Sequence, residues 1–520
     1  MKRLGPVLQF LGCDQGQWRV SVLWVQDGTD AAPVLSAGGR PVQAMQAPVP
    51  GSRCTAWRFE FAVAQTAVAQ DVAYSIGGES HGLCVPARDA LPALAYASCN
   101  GFSDPTLMKK VREPNALWAR LGRLHAVQDR VDSQSYGPLH LLLLGGDQVY
   151  SDAMWAVIPE LKAWCALPRD KRWKAAFTAT LRRKVEAYFS SLYLERWSQP
   201  EVAAMLARLP TVMMWDDHDI MDGWGSYPQE QHACPVYQGI FDVARRAFAL
   251  FQRQALGALP PATLPGQDHH NSACRVGALG LLVLDTRSER RPRSLQTDAN
   301  GDVLQAEQVL SARSWTAVYQ WLAAQEAAGG LKHLFVMSSV PVVHPGLELI
   351  EKVLGVLPGQ QDMEDDLRDH WSSPAHKPER LRLIHRLLQV AGRGVRVTIL
   401  SGDVHVAALG VIESTRDEGR GGNARVINQL TSSAIVHPTS SALEVFVLEH
   451  VARHEEQVDR GITSRMLDFP TTGRCVMARR NFLTLQPDAP GGEDRYWANW
   501  WTEGEPHPYT KVVHAIGAPG

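Results

Sequence analysis

The stretch LHLLLLGGDQVYSD, residues 139–152, sets Leu141 to Leu144 in a row against two glycines and an aspartate. A continuous apolar run of this length, rather than an alternating one, predicts a strand buried on both faces of a sheet. Gly145 and Gly146 let the backbone turn sharply at its end. They deliver Asp147 to the surface, with Tyr150 and Asp152 close behind. Working outward, the same design recurs in ALAYASCNG (93–101), TVMMWDDHD (211–219), LGLLVLDTR (279–287), LKHLFVMSS (331–339) and VRVTILSGDVH (395–405). Each run ends in Gly, Ser or Asp. Between them, 174–197 and 236–256 carry apolar residues at helical spacing. Strands alternating with helices predict a layered α/β core with its function at the carboxyl ends of the strands.

Residues 1 to about 90 read differently. WRVSVLWV (18–25) and AWRFEFAVA (56–64) are strand-like, separated by Gly, Pro and Asp clusters such as APVPGSR. A small β-sandwich is expected over 1–90, in front of a main domain over 91–520. Residues 344–380 lack strand character and are expected to form an insertion at the edge of the sheet.

The 520 residues carry a net charge of -2, with 45% hydrophobic and 20% charged residues, an ordinary globular balance. Nothing in that charge calls for nucleic acid or an acidic membrane. No apolar run reaches the roughly 18 residues of a bilayer span. The eight cysteines show no C-x-x-C pair and no framework, so reduced thiols and a cytoplasmic location are expected. Lys2 and Arg3 precede an apolar patch ending at Cys13, but Pro6 and Gln9 interrupt it, which argues against lipoprotein export through Cys13.

The chemistry lies at the strand ends. Asp403 and His405, two apart in extended chain, point the same way and make a carboxylate–imidazole metal pair. Asp217 offers a metal oxygen. His218 titrates near neutral pH, and Asp219 is placed to orient its ring. Cys99 and Asn100 sit at a further end. Taken singly, each has a plain explanation: a capping Asp, a solvated loop, a buried small Cys, a surface Arg at 287. Together, four strand ends offering oxygen, nitrogen and sulfur predict a dinuclear metal site, with cations compensating the crowd Asp216–Asp219.

In this order and spacing, SCN, GGDQVY, WDDHD and SGDVH resemble the alkaline phosphatase D (PhoD-like) family of calcineurin-like metallophosphoesterases, over roughly residues 91 to 440. Gly146-Asp147 matches the G-D element of the superfamily. Asp217-His218-Asp219 matches G-N-H-[DE] with Asp for Asn, and Gly402-Asp403-Val404-His405 matches G-H-x-H with Asp for the first His. Cys99 replaces a D-x-H pair, and Ser339 stands where a fourth block often carries His. The resemblance implies an αββα metallophosphoesterase core. It implies that Asp147 bridges two metals, that Cys99, Tyr150 and His405 complete one, by analogy Fe3+, and that Asp217 and Asp403 hold the other, by analogy Ca2+. Zn2+ and Mn2+ are the alternatives. The block containing Asp366, Asp369 and Trp371 resembles one near the family's active-site mouth.

The implied activity is metal-dependent hydrolysis of a small phosphate ester, a monoester or a diester. A metal-bridging hydroxide attacks phosphorus and His218 protonates the leaving alkoxide. Asn100 holds a non-bridging oxygen, and Arg287 pairs with phosphate. The competing expectation is an inert metallophosphatase fold in a binding or regulatory protein.

Overall fold

The computed structural model describes residues 1–28, 31–131, 134–256, 262–266, 268–292, 307–343, 371, 373, 376–416, 425–489 and 492–513. The fold is mixed α/β. The leucine run forms the strand Leu141–Gly145, fully buried, between the parallel neighbours Leu94–Ala97 and Thr211–Met214. These three are the centre of a ten-stranded sheet. A nine-stranded sheet carries the parallel series Leu279–Leu284, His333–Ser338, Arg396–Ser401 and Arg425–Thr431.

The continuous apolar runs follow from what lies on each face. Leu141 and Leu143 pack with Leu281, Val283, Phe335 and Met337 of the nine-stranded sheet. Leu142 and Leu144 pack instead among Leu121, Val185, Phe189, Trp197, Ile240 and Phe248. Those residues come from the helices Ala116–His125, Ala179–Trp197 and Pro235–Phe251. On the other sheet, Leu282, Leu284, Val336 and Val397 meet Val318, Leu322, Ile384 and Leu387 of the helices Ala312–Ala328 and Lys377–Ala391. A polar residue on either face of these strands would leave hydrogen-bonding groups buried without water.

The N-terminal segment corrects the expected sandwich. Lys2–Asp14 pairs parallel with Thr211–Met214, and Gln17–Asp27, Cys54–Ala64 and Ala44–Pro48 follow it, so the ten-stranded sheet runs straight through the expected boundary at residue 90. A four-stranded sheet (Arg40–Val42, Leu35–Ala37, Gln70–Ile76, Glu79–Val85) packs Leu35, Tyr74, Ile76 and Leu83 against Trp24, Trp57 and Phe59. Two β layers therefore exist in 1–90, but one is the flank of the main sheet. The physical reason is the apolar first strand: Leu4 and Val7 face the helices while Leu8 and Phe10 face the other way. The opposite flank is built by Asn481–Pro487, Tyr496–Thr502 and Tyr509–Val513, where Trp500 and Trp501 are buried.

Of the expected insertion, 344–370 lie outside the described residues, including Asp366 and Asp369. Trp371 is buried in the core and donates to Ser338 Oγ at 3.1 Å, so it does not shape an entrance. No helix among the described residues is long and apolar enough to cross a membrane.

Candidate metal centre

The ends of the central strands in both sheets meet. Cys99 and Asp147 follow strands of the ten-stranded sheet, and Asp403 and His405 follow Arg396–Ser401 of the other. Nine non-glycine described residues have positive φ, and four of them are these expected ligands: Cys99 at 54°, Asp147 at 51°, Asp403 at 67° and His405 at 51°. Side chains rarely adopt this backbone, and such strain tends to cluster at functional turns. Two glycines make room. A Cβ on Gly146 (φ +105°) would lie 2.8 Å from the Asp216 Cβ, and one on Gly101 would lie 2.5 Å from the Tyr150 ring.

On one side of the centre, Asp147 Oδ2 lies 3.6 Å from Cys99 Sγ and accepts a hydrogen bond from Tyr150 Oη at 3.3 Å. Tyr150 Oη is also 3.3 Å from His405 Nε2. Cys99, Asp147 and His405 each offer a ligand atom within 4.8 Å of the others. Burial, with Asp147 beside both, pushes the Cys99 thiol and the Tyr150 phenol well above their ordinary ranges. Burial and the neighbouring His437 hold His405 well below its ordinary value, so it stays neutral, the form that binds a metal. His437 is a residue the sequence reading missed. Its ring stacks on His405 at 4.0 Å and on Tyr150 at 5.2 Å.

On the other side, Asp147, Asp216, Asp217 and Asp403 bring carboxylate oxygens within 4.8 Å of one another. Arg287 is completely buried here. Its Nε donates to Asp216 Oδ1, its Nη2 lies 3.3 Å from Asp217 Oδ1, and its Nη1 donates to the Trp224 carbonyl at 3.1 Å. Of the guanidinium expected to contact phosphate, Nε and Nη1 are thus engaged by the protein's own Asp216 and Trp224 carbonyl. Ser339 donates to Asp216 Oδ1 at 2.7 Å, so the hydroxyl in place of a fourth-block His holds a carboxylate.

The orientation of His218 also differs from expectation. Its Nδ1 meets Asp152 Oδ2 at 2.7 Å, and Asp152 Oδ1 is fixed by the Asp222 N–H at 2.9 Å. Asp219 instead accepts from the backbone N–H groups of Asp216, Gln148 and Val149 and from Gln252 Nε2. With Asp216 it closes a capping box around Asp217–Asp219. Burial raises the Asp219 carboxyl to about 7 despite those donors. Asp152 therefore does for His218 what Asp219 was expected to do. Burial works against the His218 imidazolium, but Asp152, Asp217 and Asp147 outweigh it and hold the ring well above its ordinary value. Asn100 lies beside Cys99, tied through its N–H to the Asp147 carbonyl at 2.7 Å.

The donor set fits cations. Asp147 belongs to all three clusters of ligand atoms. Its Oδ1 is buried with no hydrogen-bond partner among the described residues, a costly state that a coordinated ion removes. Cys99, Tyr150 and His405 would complete one ion beside Asp147, and Asp217 and Asp403 another.

Fold and site together define a phosphatase-type, metal-binding protein. The sequence profile of the family described as PhoD related phosphatase matches residues 97–358 and 354–458, and the chain belongs to that family. An uncharacterized protein of Saccharomyces cerevisiae is 27% identical, in an alignment covering 83% of this chain and 70% of the relative. The solved structure titled "Structure of PhoD" superposes with a TM-score of 0.54 at 13% identity, over 98% of this chain and 88% of that one. At that identity the likeness concerns the fold alone.

Proposed function

We propose that the protein hydrolyses small phosphate esters, monoesters or diesters, in the cytoplasm, within a helix–sheet–sheet–helix core. The carrying observation is the Asp147-centred cluster with a buried, partnerless carboxylate oxygen, set beside an imidazole whose Nδ1 is already engaged. When bound there, metal ions supply charge neutralisation of the phosphoryl oxygens and a more acidic water. The thiol, phenol and imidazole of Cys99, Tyr150 and His405 suit iron, and the carboxylates of Asp217 and Asp403 suit calcium. Zinc and manganese are the alternatives that elemental analysis would reveal. Eight free cysteines support the cytoplasmic reading.

The chain's own residues divide the remaining work. Asp152 holds Nδ1 of His218 and favours its protonated form, leaving Nε2 to give a proton to the leaving alkoxide. Asp222 Oδ1 lies 3.9 Å from that Nε2. Arg287 and Ser339 hold Asp216 in place without spending themselves on substrate. Asn100 contributes a neutral donor for a phosphoryl oxygen.

The test is elemental analysis of protein purified without chelator or affinity-tag metal, with monoester and diester assays on the same sample. About two metals per chain together with ester hydrolysis is the expected result. Metal-bound protein that hydrolyses no ester across a broad panel would favour an inert binding protein instead.

A further inference from the structure

Asn100 stands just past the end of the Leu94–Ala97 strand, and the residue is 1% exposed. Its amide oxygen accepts three hydrogen bonds: from Trp118 Nε1 at 2.9 Å, from Arg196 Nε at 3.1 Å and from Arg196 Nη2 at 2.7 Å. Its amide nitrogen makes no hydrogen bond to any described residue. An amide oxygen offers two lone pairs, so three donors saturate it. Rotating the amide by half a turn would set its NH2 group against an indole N–H and two guanidinium N–H groups. The oxygen is thereby fixed towards the helices Ala116–His125 and Ala179–Trp197, which carry Trp118 and Arg196.

We infer that Arg196 and Trp118 are positioning residues that lock and polarise the Asn100 amide, so that its NH2 group offers an N–H to a phosphoryl oxygen of the substrate. The inference rests on the phosphoesterase reading of the site and adds to it two residues outside its motifs. A guanidinium drawing on the amide oxygen makes the opposite N–H bonds stronger donors, and a donor fixed in advance costs no reorganisation when charge develops on phosphorus. Arg196 is itself anchored. Its Nη2 donates to Asn115 Oδ1 at 2.8 Å, and Asn115 Nδ2 donates to Glu201 Oε2 at 3.1 Å. Burial lowers the Arg196 guanidinium only to about 10, so it keeps its charge at neutral pH. The lock therefore runs from the edge of the protein to the residue next to Cys99.

The experiment is a double-mutant cycle on the metal-loaded full chain with Asn100→Ala and Arg196→Met. It reads kcat/KM for a phosphomonoester, the inhibition constant of inorganic phosphate, and metal content. Arg196→Met alone is expected to weaken phosphate inhibition on the order of tenfold, with metal content unchanged. In the Asn100→Ala background the same change is expected to have no further effect. Arg196→Lys should recover part of the loss, since an ammonium reaches the oxygen but cannot fork to Asn115. Trp118→Phe keeps the ring, removes one donor and should weaken inhibition by a few-fold, which serves if Arg196→Met fails to fold. Multiplying effects of the two variants, or loss of metal in Arg196→Met, would overturn the inference and leave Arg196 a structural residue. If instead the wild-type protein neither hydrolyses esters nor is bound by phosphate, the phosphoesterase reading fails, and this inference with it.

Discussion

Asp217 and Asp147 belong to the same acidic cluster, yet Asp217 faces the Arg287 guanidinium at 3.3 Å while Asp147 makes no ion pair with a lysine or arginine among the described residues. The carboxylate side of the centre is partly balanced by a cation that the chain itself supplies. The thiol–phenol–imidazole side has no lysine or arginine among the described residues, and there the His218 ring is the cationic group that faces Asp147. The crowd at Asp216–Asp219 is thus three separate arrangements in four residues. Asp216 pairs with arginine, Asp217 and His218 face the site, and Asp219 caps a turn. A run of like charge in a sequence says nothing about which of these each member does.

The comparison breaks most severely at the shared carboxylate. Asp147→Asn should strip metal from both sides and lower kcat/KM by roughly a thousandfold or more, measured by elemental analysis beside the assay. Retained metal at full stoichiometry would deny Asp147 its central place. His218→Ala should keep the metals and lower kcat by about 10²–10⁴-fold, most for poor leaving groups. Asp152→Asn should lower it by about 10–100-fold, whereas Asp219→Asn should reduce stability and leave turnover nearly intact. Metal lost from the His218 variant would make that imidazole a ligand.

Arg287→Met tests the other side. It leaves Asp216 buried beside other carboxylates and should destabilise metal-free protein by about 3–5 kcal/mol, with a smaller loss once a divalent cation is added. Denaturant unfolding with and without metal reads this directly. Unchanged stability with a raised KM would return Arg287 to the phosphate.

The smallest effect separates scaffold from site. His140 and His333 lie away from the centre, and burial lowers both from the usual 6.5 to about 4. His140 Nδ1 accepts the Ala93 N–H at 2.9 Å, and His333 Nε2 meets the Asp494 carbonyl at 2.6 Å, so both are held neutral. At these two sites the unfolded chain then binds more protons than the folded one between about pH 4 and 6.5. Their contribution is complete above pH 6.5 and is lost as pH falls towards 4. Unfolding of chelated protein across that range should show the decline, and His333→Gln should make it shallower.

Much of this was legible from strand ends. GGD, WDDHD and SGDVH gather Asp217 and Asp403 on one side of Asp147 and His405 on the other, in two groups that share that carboxylate, as their position after buried runs implies. What escaped was whatever depends on two sheets facing each other. Arg287 was located at the right strand end, but its pairing with Asp216 was not foreseen, because Asp216 reaches it from the opposite sheet. His437 closes the short apolar run AIV, a polar residue just before a proline, and that pattern was there to be used. Arg196 carries no such mark: it is one cation on a helix, and only the fold aims it at Asn100. The front strands were read as a separate unit because their polar turns hide how apolar both faces of Lys2–Asp14 are.

That first strand has a consequence for anyone dividing the molecule. Residue Gln9 is paired with Thr211, two residues away from the Met213–Met214 step that leads into WDDHD. On the far flank Leu483 pairs with Tyr96, three residues before Cys99. A fragment cut at residue 90, or one ending before 481, would expose a raw sheet edge beside the candidate metal centre and invite aggregation. The family-matching segment is therefore not an excisable enzyme, and swapping front halves between relatives would exchange part of the wall on which the ligands stand.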